Sequence, residues 1–236
     1  MKVPLRIKVF ADGADLAGIA RLAGDPLIAG FTTNPTLMRQ SGVDDYRRFA
    51  EQVLEAVPDK PISFEVFSDE EDEMERQARL IAGWGPNVYV KIPVTDTSGR
   101  STAKLVRRLT EAGVKLNVTA ILSLRQVQTV VEALGGTDAA IVSVFAGRVA
   151  DTGRDPVPLM TAALELVRLD PALELLWASP REVLNVVQAD AIGCHIVTVT
   201  HELLKKLPGL GRDLEDVSLD TVRMFRRDAV EAGFTL

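Results

Sequence analysis

The sequence contains few of the residues from which metal centres, disulfide frameworks and nucleic-acid interfaces are built. Its 236 residues include a single cysteine, Cys194, and only two histidines, His195 and His201. One cysteine cannot form an intrachain disulfide, which fits a reducing cytosol. No HExxH, CxxC or GxGxxG motif is present, and we interpret both histidines as structural. The missing ligand motifs predict no metal site. The net charge of −6 is the opposite of a basic nucleic-acid footprint, so we also predict no nucleic-acid partner.

Long apolar segments are also missing. No stretch approaches the ~20 consecutive apolar residues of a membrane span. The basic start KVPLRIKVF has no apolar core of signal-peptide length. We therefore predict no membrane partner and a cytoplasmic location. No composition break or Gly/Ser-rich linker divides the chain, and 236 residues are a common length for an α/β barrel, so we expect one domain over 1–236.

The sequence does contain a regular alternation of two patterns. Short apolar runs rich in β-branched residues occur at 6–11, 27–31, 61–67, 88–94, 114–120, 139–145, 173–178 and 194–199. Helical periodicity separates many of them, at 43–57, 68–84, 101–113, 123–135, 156–169 and 179–191. This alternation predicts a parallel sheet, and eight repeats favour a closed (β/α)8 TIM barrel over an open sheet. An additional helix at about 218–234 would either pack across the barrel or contact a partner chain.

Polar side chains occur at the carboxyl ends of seven successive predicted strands, where TIM barrels carry their chemistry. In chain order these residues are Asp12; Thr32, Thr33 and Asn34; Glu65; Lys91; Asn117 and Thr119; Ser143 and Arg148; Ser179 and Arg181. Each alone has a simpler structural explanation, such as a helix cap for Asp12, Asn34 or Ser179. Together, at one rim of a barrel, they predict a catalytic site.

Lys91 is the most informative of these residues, because it lies in the apolar strand VYVKIPVT at 88–95. Burying an ammonium group costs roughly several kcal/mol unless the group is paired or loses its proton. One explanation is that the side chain reaches water at the strand end. The other is that the neutral amine serves as a nucleophile. The strand by itself does not decide between them.

Seven stretches resemble the transaldolase family, in particular its short members grouped with fructose-6-phosphate aldolase. They are VFADGADL (9–16), GFTTNPTL (30–37), SFEVF (63–67), VYVKIPVT (88–95), LNVTAILS (116–123), VSVFAGRVAD (142–151) and WASPREV (177–183). The resemblance implies a TIM barrel of the circularly permuted class I aldolase type. It also implies transfer of a dihydroxyacetone unit between sugar phosphates of the pentose phosphate pathway, from sedoheptulose 7-phosphate to glyceraldehyde 3-phosphate. Short family members resemble ring-like decamers, so a homo-oligomer is expected.

The resemblance implies three sets of site residues. In the catalytic set, Lys91 matches the Schiff-base lysine and Asp12 matches the acid/base carboxylate. Glu65 and Thr119 match the pair that handles a catalytic water. The groups that would surround the dihydroxyacetone unit match Thr33, Asn34, Asn117, Ser143 and the aromatic Phe145. The phosphate-binding positions match Arg148, Ser179 and Arg181. No cofactor is implied.

Two positions bear on the choice between transfer and cleavage. In the aldolase branch the water-handling residue is typically glutamine and the aromatic residue is tyrosine, whereas this chain has Glu65 and Phe145. The chain departs from the family pattern at Gly13, where threonine is usual, at Pro180, where phenylalanine is usual, and in the added turn TDTSGR. A lyase, a specialised-pathway enzyme acting on another ketose, and a non-catalytic phosphosugar-binding protein are the alternatives to a transaldolase.

Overall fold

In the computed structural model, which describes residues 5–235, eight parallel strands close into a barrel in chain order. The strands are β1 Lys8–Asp12, β2 Ile28–Thr32, β3 Ile62–Glu65, β4 Val88–Pro93, β5 Leu116–Ile121, β6 Ala140–Val144, β7 Leu173–Trp177 and β8 Ile196–Thr200. The predicted TIM barrel is therefore confirmed. Residues 1–4 and 236 of the predicted domain lie outside the described range.

Helices surround the barrel and connect its strands. They are α1 Leu16–Ala23, α2 Pro35–Gln40, α3 Tyr46–Ala56, α4 Glu71–Ala82, α5 Ala103–Glu111, α6 Leu124–Leu134, α7 Ala146–Ala150, α8 Val157–Val167, α9 Val183–Ala191, α10 His201–Leu204 and α11 Leu214–Glu231. The six helices predicted between the strands are present with shorter bounds. The sequence reading missed α1, α2, α7 and α10, because one or two turns contain too few residues to show a period.

The barrel interior has an apolar floor. Phe10, Ile141, Leu176 and Ile196 form a buried cluster separate from the larger core between strands and helices. Gly30 is needed here, since a Cβ atom at this position would lie 2.5 Å from Cζ of Phe10. Side chains two residues further along a strand point to the same face. The next inward-facing residues after this apolar cluster therefore lie at the carboxyl ends of the strands, and this second layer is polar.

The C-terminal helix α11 begins at Leu214 rather than near residue 218. The Asp213 side chain accepts hydrogen bonds from the backbone N–H groups of Glu215 and Asp216 and so caps the helix. None of the residues of α11 is buried, and Phe225 is 62% exposed. The alternative that this helix packs across its own barrel is therefore wrong. A contact with a partner chain stays a prediction.

No helix between residues 5 and 235 has both the length and the apolar character needed to cross a membrane.

Candidate active site

Strand register brings the predicted catalytic residues together. Glu65 is paired with Lys91 across β3 and β4, and Lys91 is paired with Asn117 across β4 and β5. On β1, Asp12 is paired with Thr32 of β2. These residues form one polar layer above the apolar floor, at the rim where the sequence placed them.

Lys91 is buried, with only 6% of its surface exposed. Its Nζ lies 3.0 Å from Oε2 of Glu65 and donates a hydrogen bond of 2.9 Å to the carbonyl oxygen of Thr33. The explanation that this side chain reaches bulk water is therefore wrong. The carboxylate offsets much of the cost of burying an ammonium group, and it also stands where it can accept a proton from that group.

Asp12 lies in the same interior, beside the hydroxyl group of Thr32, for which the sequence predicted no role. Thr32 Oγ1 donates to Oδ1 of Asp12 at 2.7 Å. Burial raises the pKa of Asp12 above its ordinary value, while the charge of Lys91 and the hydrogen bond from Thr32 act in the opposite direction. The alternative explanation of Asp12 as a helix cap is wrong, because Asp15 caps α1. Asp12 is thus free to face the interior.

Asn117 is held by two buried serines. Its Nδ2 donates to Ser63 Oγ at 2.9 Å, and its Oδ1 accepts from Ser143 Oγ at 2.6 Å. This arrangement fixes the orientation of the amide. The sequence reading predicted Asn117 and Ser143 but missed Ser63, although Ser63 lies two residues before Glu65 and so shares its face of β3.

Thr119 lies at an irregularity in β5. The β5–β6 register shifts between Val118 and Ile121, and Ala120 has φ +61°, a left-handed conformation that is uncommon for a residue other than glycine. Thr119 Oγ1 is buried and has no hydrogen-bond partner among the described residues. A hydroxyl placed in this way is available to a water molecule or a substrate group.

Thr33 and Asn34 both make structural contacts. The Thr33 hydroxyl donates to the carbonyl oxygen of Ser63 at 3.0 Å. Asn34 Oδ1 caps α2 by accepting from the Leu37 N–H at 3.0 Å, as the cap explanation expected. Because only the oxygen is used, the Asn34 side-chain NH2 group can still donate to a ligand.

The predicted phosphate-binding residues follow β6 and β7: Arg148 lies in α7, and Ser179 and Arg181 lie on the loop between β7 and α9. Arg148 is exposed and its guanidinium carbon is 5.4 Å from the ring centre of the half-buried Phe145. Arg181 Nε donates to Oδ1 of Asp151 at 3.0 Å, and its Nη2 forms a second, shorter contact with Oδ2. The Arg181 hydrogen bonds lower the pKa of Asp151. The sequence did not predict a role for this carboxylate. The alternative explanation of Ser179 as a helix cap is wrong, because the cap of α9 is Glu182.

The two histidines have different surroundings. His195 Nδ1 accepts from the backbone N–H of Leu175 at 2.9 Å, in agreement with a structural role. The His201 ring packs against Gly13 and Gly18, where an added Cβ would lie 2.9 Å and 2.7 Å from ring atoms. The threonine that the resemblance implies at position 13 would therefore require the His201 ring to shift. Among residues 5–235 no group of three or more His, Cys, Asp or Glu side chains could hold a metal ion.

Comparison with known proteins gives consistent matches. Residues 9–236 match the family described as Transaldolase/Fructose-6-phosphate aldolase. The chain is 33% identical over 202 residues to a "Probable transaldolase" of Dehalococcoides mccartyi, covering 85% of this chain and 90% of the relative. It is 35% identical over 204 residues to "Probable transaldolase 2" of Listeria monocytogenes, covering 85% and 88%. The 3-hexulose-6-phosphate synthase from Salmonella typhimurium has a TM-score of 0.56 at 18% identity, over 82% of this chain and 89% of that chain, and this likeness concerns the fold alone.

Proposed function

The chain belongs to the transaldolase/fructose-6-phosphate aldolase family, and on that premise we propose that it is a cytoplasmic transaldolase acting on sugar phosphates. The observation that carries the proposal is the contact of 3.0 Å between Nζ of the buried Lys91 and Oε2 of the partly buried Glu65. Glu65 can take the ammonium proton and so free the amine for attack on a ketone. The pairing of nucleophile and base is what a Schiff-base mechanism requires.

The first half of the proposed reaction forms the Schiff base. The neutral Lys91 amine attacks the C2 carbonyl of the ketose phosphate and gives a carbinolamine. Loss of its hydroxyl as water, after protonation, leaves an iminium ion on Nζ. Glu65, which has accepted a proton from the amine, can return one through a water held by the unpaired hydroxyl of Thr119.

Carbon–carbon bond cleavage follows from the iminium ion. Asp12 takes the proton of the C4 hydroxyl, and that oxygen forms the carbonyl of the departing aldose phosphate. The electrons of the C3–C4 bond move to the iminium nitrogen and leave a three-carbon enamine on Lys91. Capture of an incoming aldose phosphate by this enamine reverses the cleavage, so that Asp12 acts first as a base and then as an acid. Hydrolysis of the resulting iminium ion then releases the new ketose phosphate and returns the Lys91 amine.

The remaining site residues support binding rather than proton transfer. The amide of Asn117, fixed by Ser63 and Ser143, and the free NH2 group of Asn34 can hold the hydroxyls of the enamine. The guanidinium groups of Arg148 and Arg181 match the oxygens of a phosphate. Both arginines are exposed at the rim, which suits a phosphate group that enters and leaves with each half-reaction.

Transfer is favoured over net cleavage for a specific reason. To release dihydroxyacetone, the enamine carbon must be protonated before an acceptor arrives. Phe145 lies beside the site and has no acidic proton, whereas a tyrosine there would supply a hydroxyl group. An enamine protected in this way survives long enough to meet an aldehyde.

The test compares two rates in the wild type: release of free dihydroxyacetone without acceptor, and transfer from fructose 6-phosphate to erythrose 4-phosphate. We expect transfer to be much faster. Phe145→Tyr should raise cleavage relative to transfer, and Glu65→Gln should reduce transfer, because an amide cannot exchange a proton in this way. Phe234→Tyr, at an exposed position after α11, makes the same chemical change away from the barrel and should change neither rate. A wild type that cleaves as fast as it transfers would establish the lyase alternative instead.

A further inference from the structure

A chain of hydroxyl groups connects β8 with Asp12. Thr198 and Thr32 are both buried, and their side-chain oxygens are in short contact. Thr32 in turn donates to Oδ1 of Asp12 at 2.7 Å. Because β1 lies between β2 and β8 in the closed sheet, the two threonines meet across the strand that carries Asp12. Thr198 thus reaches the carboxylate only through Thr32.

The direction of this chain follows from counting protons. A threonine hydroxyl has one proton to donate, and an ionised carboxylate can only accept. Thr32 directs its proton to Asp12, so Thr198 must donate to Thr32. The reverse direction would leave the Thr198 proton without an acceptor, since within residues 5–235 the Thr198 hydroxyl forms no other hydrogen bond. The buried Thr198 hydroxyl therefore donates to Thr32, and the Thr32 hydroxyl donates to Asp12.

We propose that Thr198 is a positioning residue for Asp12, which fixes the Thr32 hydroxyl as a donor to Oδ1. With Oδ1 held in this way, Oδ2 is the oxygen that exchanges a proton with the substrate hydroxyl. Thr198 does not need to touch the substrate to have this effect. The assignment rests on the proposed function for its catalytic meaning, but the hydrogen-bond chain itself is a property of the resting protein.

Asp12 is surrounded by several charged or titratable groups, and the effect of Thr198 adds to theirs. Burial raises the pKa of Asp12, and the charge of Glu65 on β3 acts in the same direction. Lys91 on β4, the Thr32 hydrogen bond and His201 on α10 lower it. Hydrogen bonds in a chain polarise one another, so the hydroxyl of Thr198 strengthens the bond that Thr32 makes to the carboxylate. Its removal should favour the protonated form of Asp12.

The experiment compares wild type, Thr198→Val and Thr198→Ser in the full-length protein. Carbon-13 NMR of protein labelled at the aspartate carboxyl carbons follows the titration of Asp12, with Asp12→Asn identifying its signal. The pH profile of kcat/KM is measured in parallel. In Thr198→Val, Asp12 should titrate at higher pH than in wild type, and the acid limb of the profile should move in the same direction. On that limb kcat/KM should fall about twofold, because Thr198 strengthens the hydrogen bond from Thr32 to Asp12 without itself contacting the carboxylate. Thr198→Ser, which keeps the hydroxyl, should match the wild type.

The outcomes separate this inference from the proposed function. An unchanged Asp12 titration in Thr198→Val overturns the role of Thr198, and so does an equal shift in Thr198→Ser, because the hydroxyl would then not be responsible. Thr198→Ala is a second hydroxyl-free variant should the valine disturb folding. If the NMR shift occurs but the wild type neither cleaves nor transfers ketose phosphates, the proposed function fails and the positioning of Asp12 stands.

Discussion

The buried Lys91 forms an ion pair with Glu65, whose side chain is 18% exposed, and the carboxylate offsets the burial of the ammonium group. Removing one partner leaves the other unpaired in the barrel, which lowers the stability of the fold. The same two side chains therefore contribute to both stability and the proposed catalysis. This arrangement differs from a lone buried amine. Lys91 becomes neutral when its ammonium proton moves to Oε2 of Glu65, which lies 3.0 Å from Nζ, and the proton does not have to be released to water.

The nucleophile can be identified directly. Incubation with fructose 6-phosphate and borohydride should attach a reduced three-carbon unit to the protein, because the reagent traps an iminium ion. Peptide mapping should place the adduct on Lys91. Lys91→Met should fold, as judged by circular dichroism, and lose all turnover. Lys104→Met, at an exposed position on α5, is the matched control and should keep full activity. An adduct on another lysine, or none at all, would contradict the mechanism.

At the scale of elements, α7, which follows β6, and the loop after β7 are held together by close backbone contact. The Gly147 N–H donates to the carbonyl oxygen of Ala178 at 3.2 Å. A Cβ atom at Gly147 would lie 1.6 Å from the carbonyl oxygen of Ser179, which itself has the left-handed φ of +58°. Because Asp151 follows α7 and pairs with Arg181, the same contact positions the predicted phosphate-binding loop.

Gly147→Ala should therefore force α7 away from the loop after β7. We expect a loss of unfolding free energy of about 1–3 kcal/mol, typical of overpacking, measured by urea denaturation. KM for phosphorylated substrates should rise more than kcat falls, because the change affects binding groups rather than Lys91. Gly24→Ala is the matched control, since Gly24 has an ordinary helical φ of −85° and no atom within 4 Å of an added Cβ. Equal unfolding free energies for the two variants would contradict this prediction, because α7 and the loop after β7 would then separate at no cost.

At the scale of the whole molecule, α11 presents an unburied apolar face. Val222 and Phe225 are 60% and 62% exposed, and Leu214 at its start is 82% exposed. Apolar side chains grouped on a helix that covers no strand of its own barrel are typical of an interface with another chain. The exposure of α11 therefore favours the contact with a partner chain that the sequence left open.

We expect an assembly larger than a dimer at micromolar concentration, measured by sedimentation velocity. Phe225→Ser should weaken this assembly because it removes apolar contact area. Arg226→Ser, at the neighbouring exposed position, should leave it intact. A wild type that sediments as a monomer would contradict this prediction, and so would an assembly that is insensitive to both substitutions.

The sequence alone determined the barrel, the eight strands and the position of Lys91 on β4. These features depend on local patterns: short β-branched runs, helical spacing between them, and one charged residue in an apolar strand. The seven matched stretches added the roles of Asp12, Glu65 and Thr119 by resemblance. The bounds of α11 were less accurate, because the cap at Asp213 lies before the apolar positions that signalled the helix.

Only the tertiary structure decided which side chains touch. Thr198 is far from Asp12 in sequence and reaches it because the closing pair of strands, β1 and β8, are neighbours in space. Ser63 on β3 meets Asn117 on β5 across β4, and Asp151 after α7 meets Arg181 after β7. The apolar pattern records only whether a residue is buried. Hydrogen-bond partners are set by strand register and loop packing, which depend on the closure of the whole barrel.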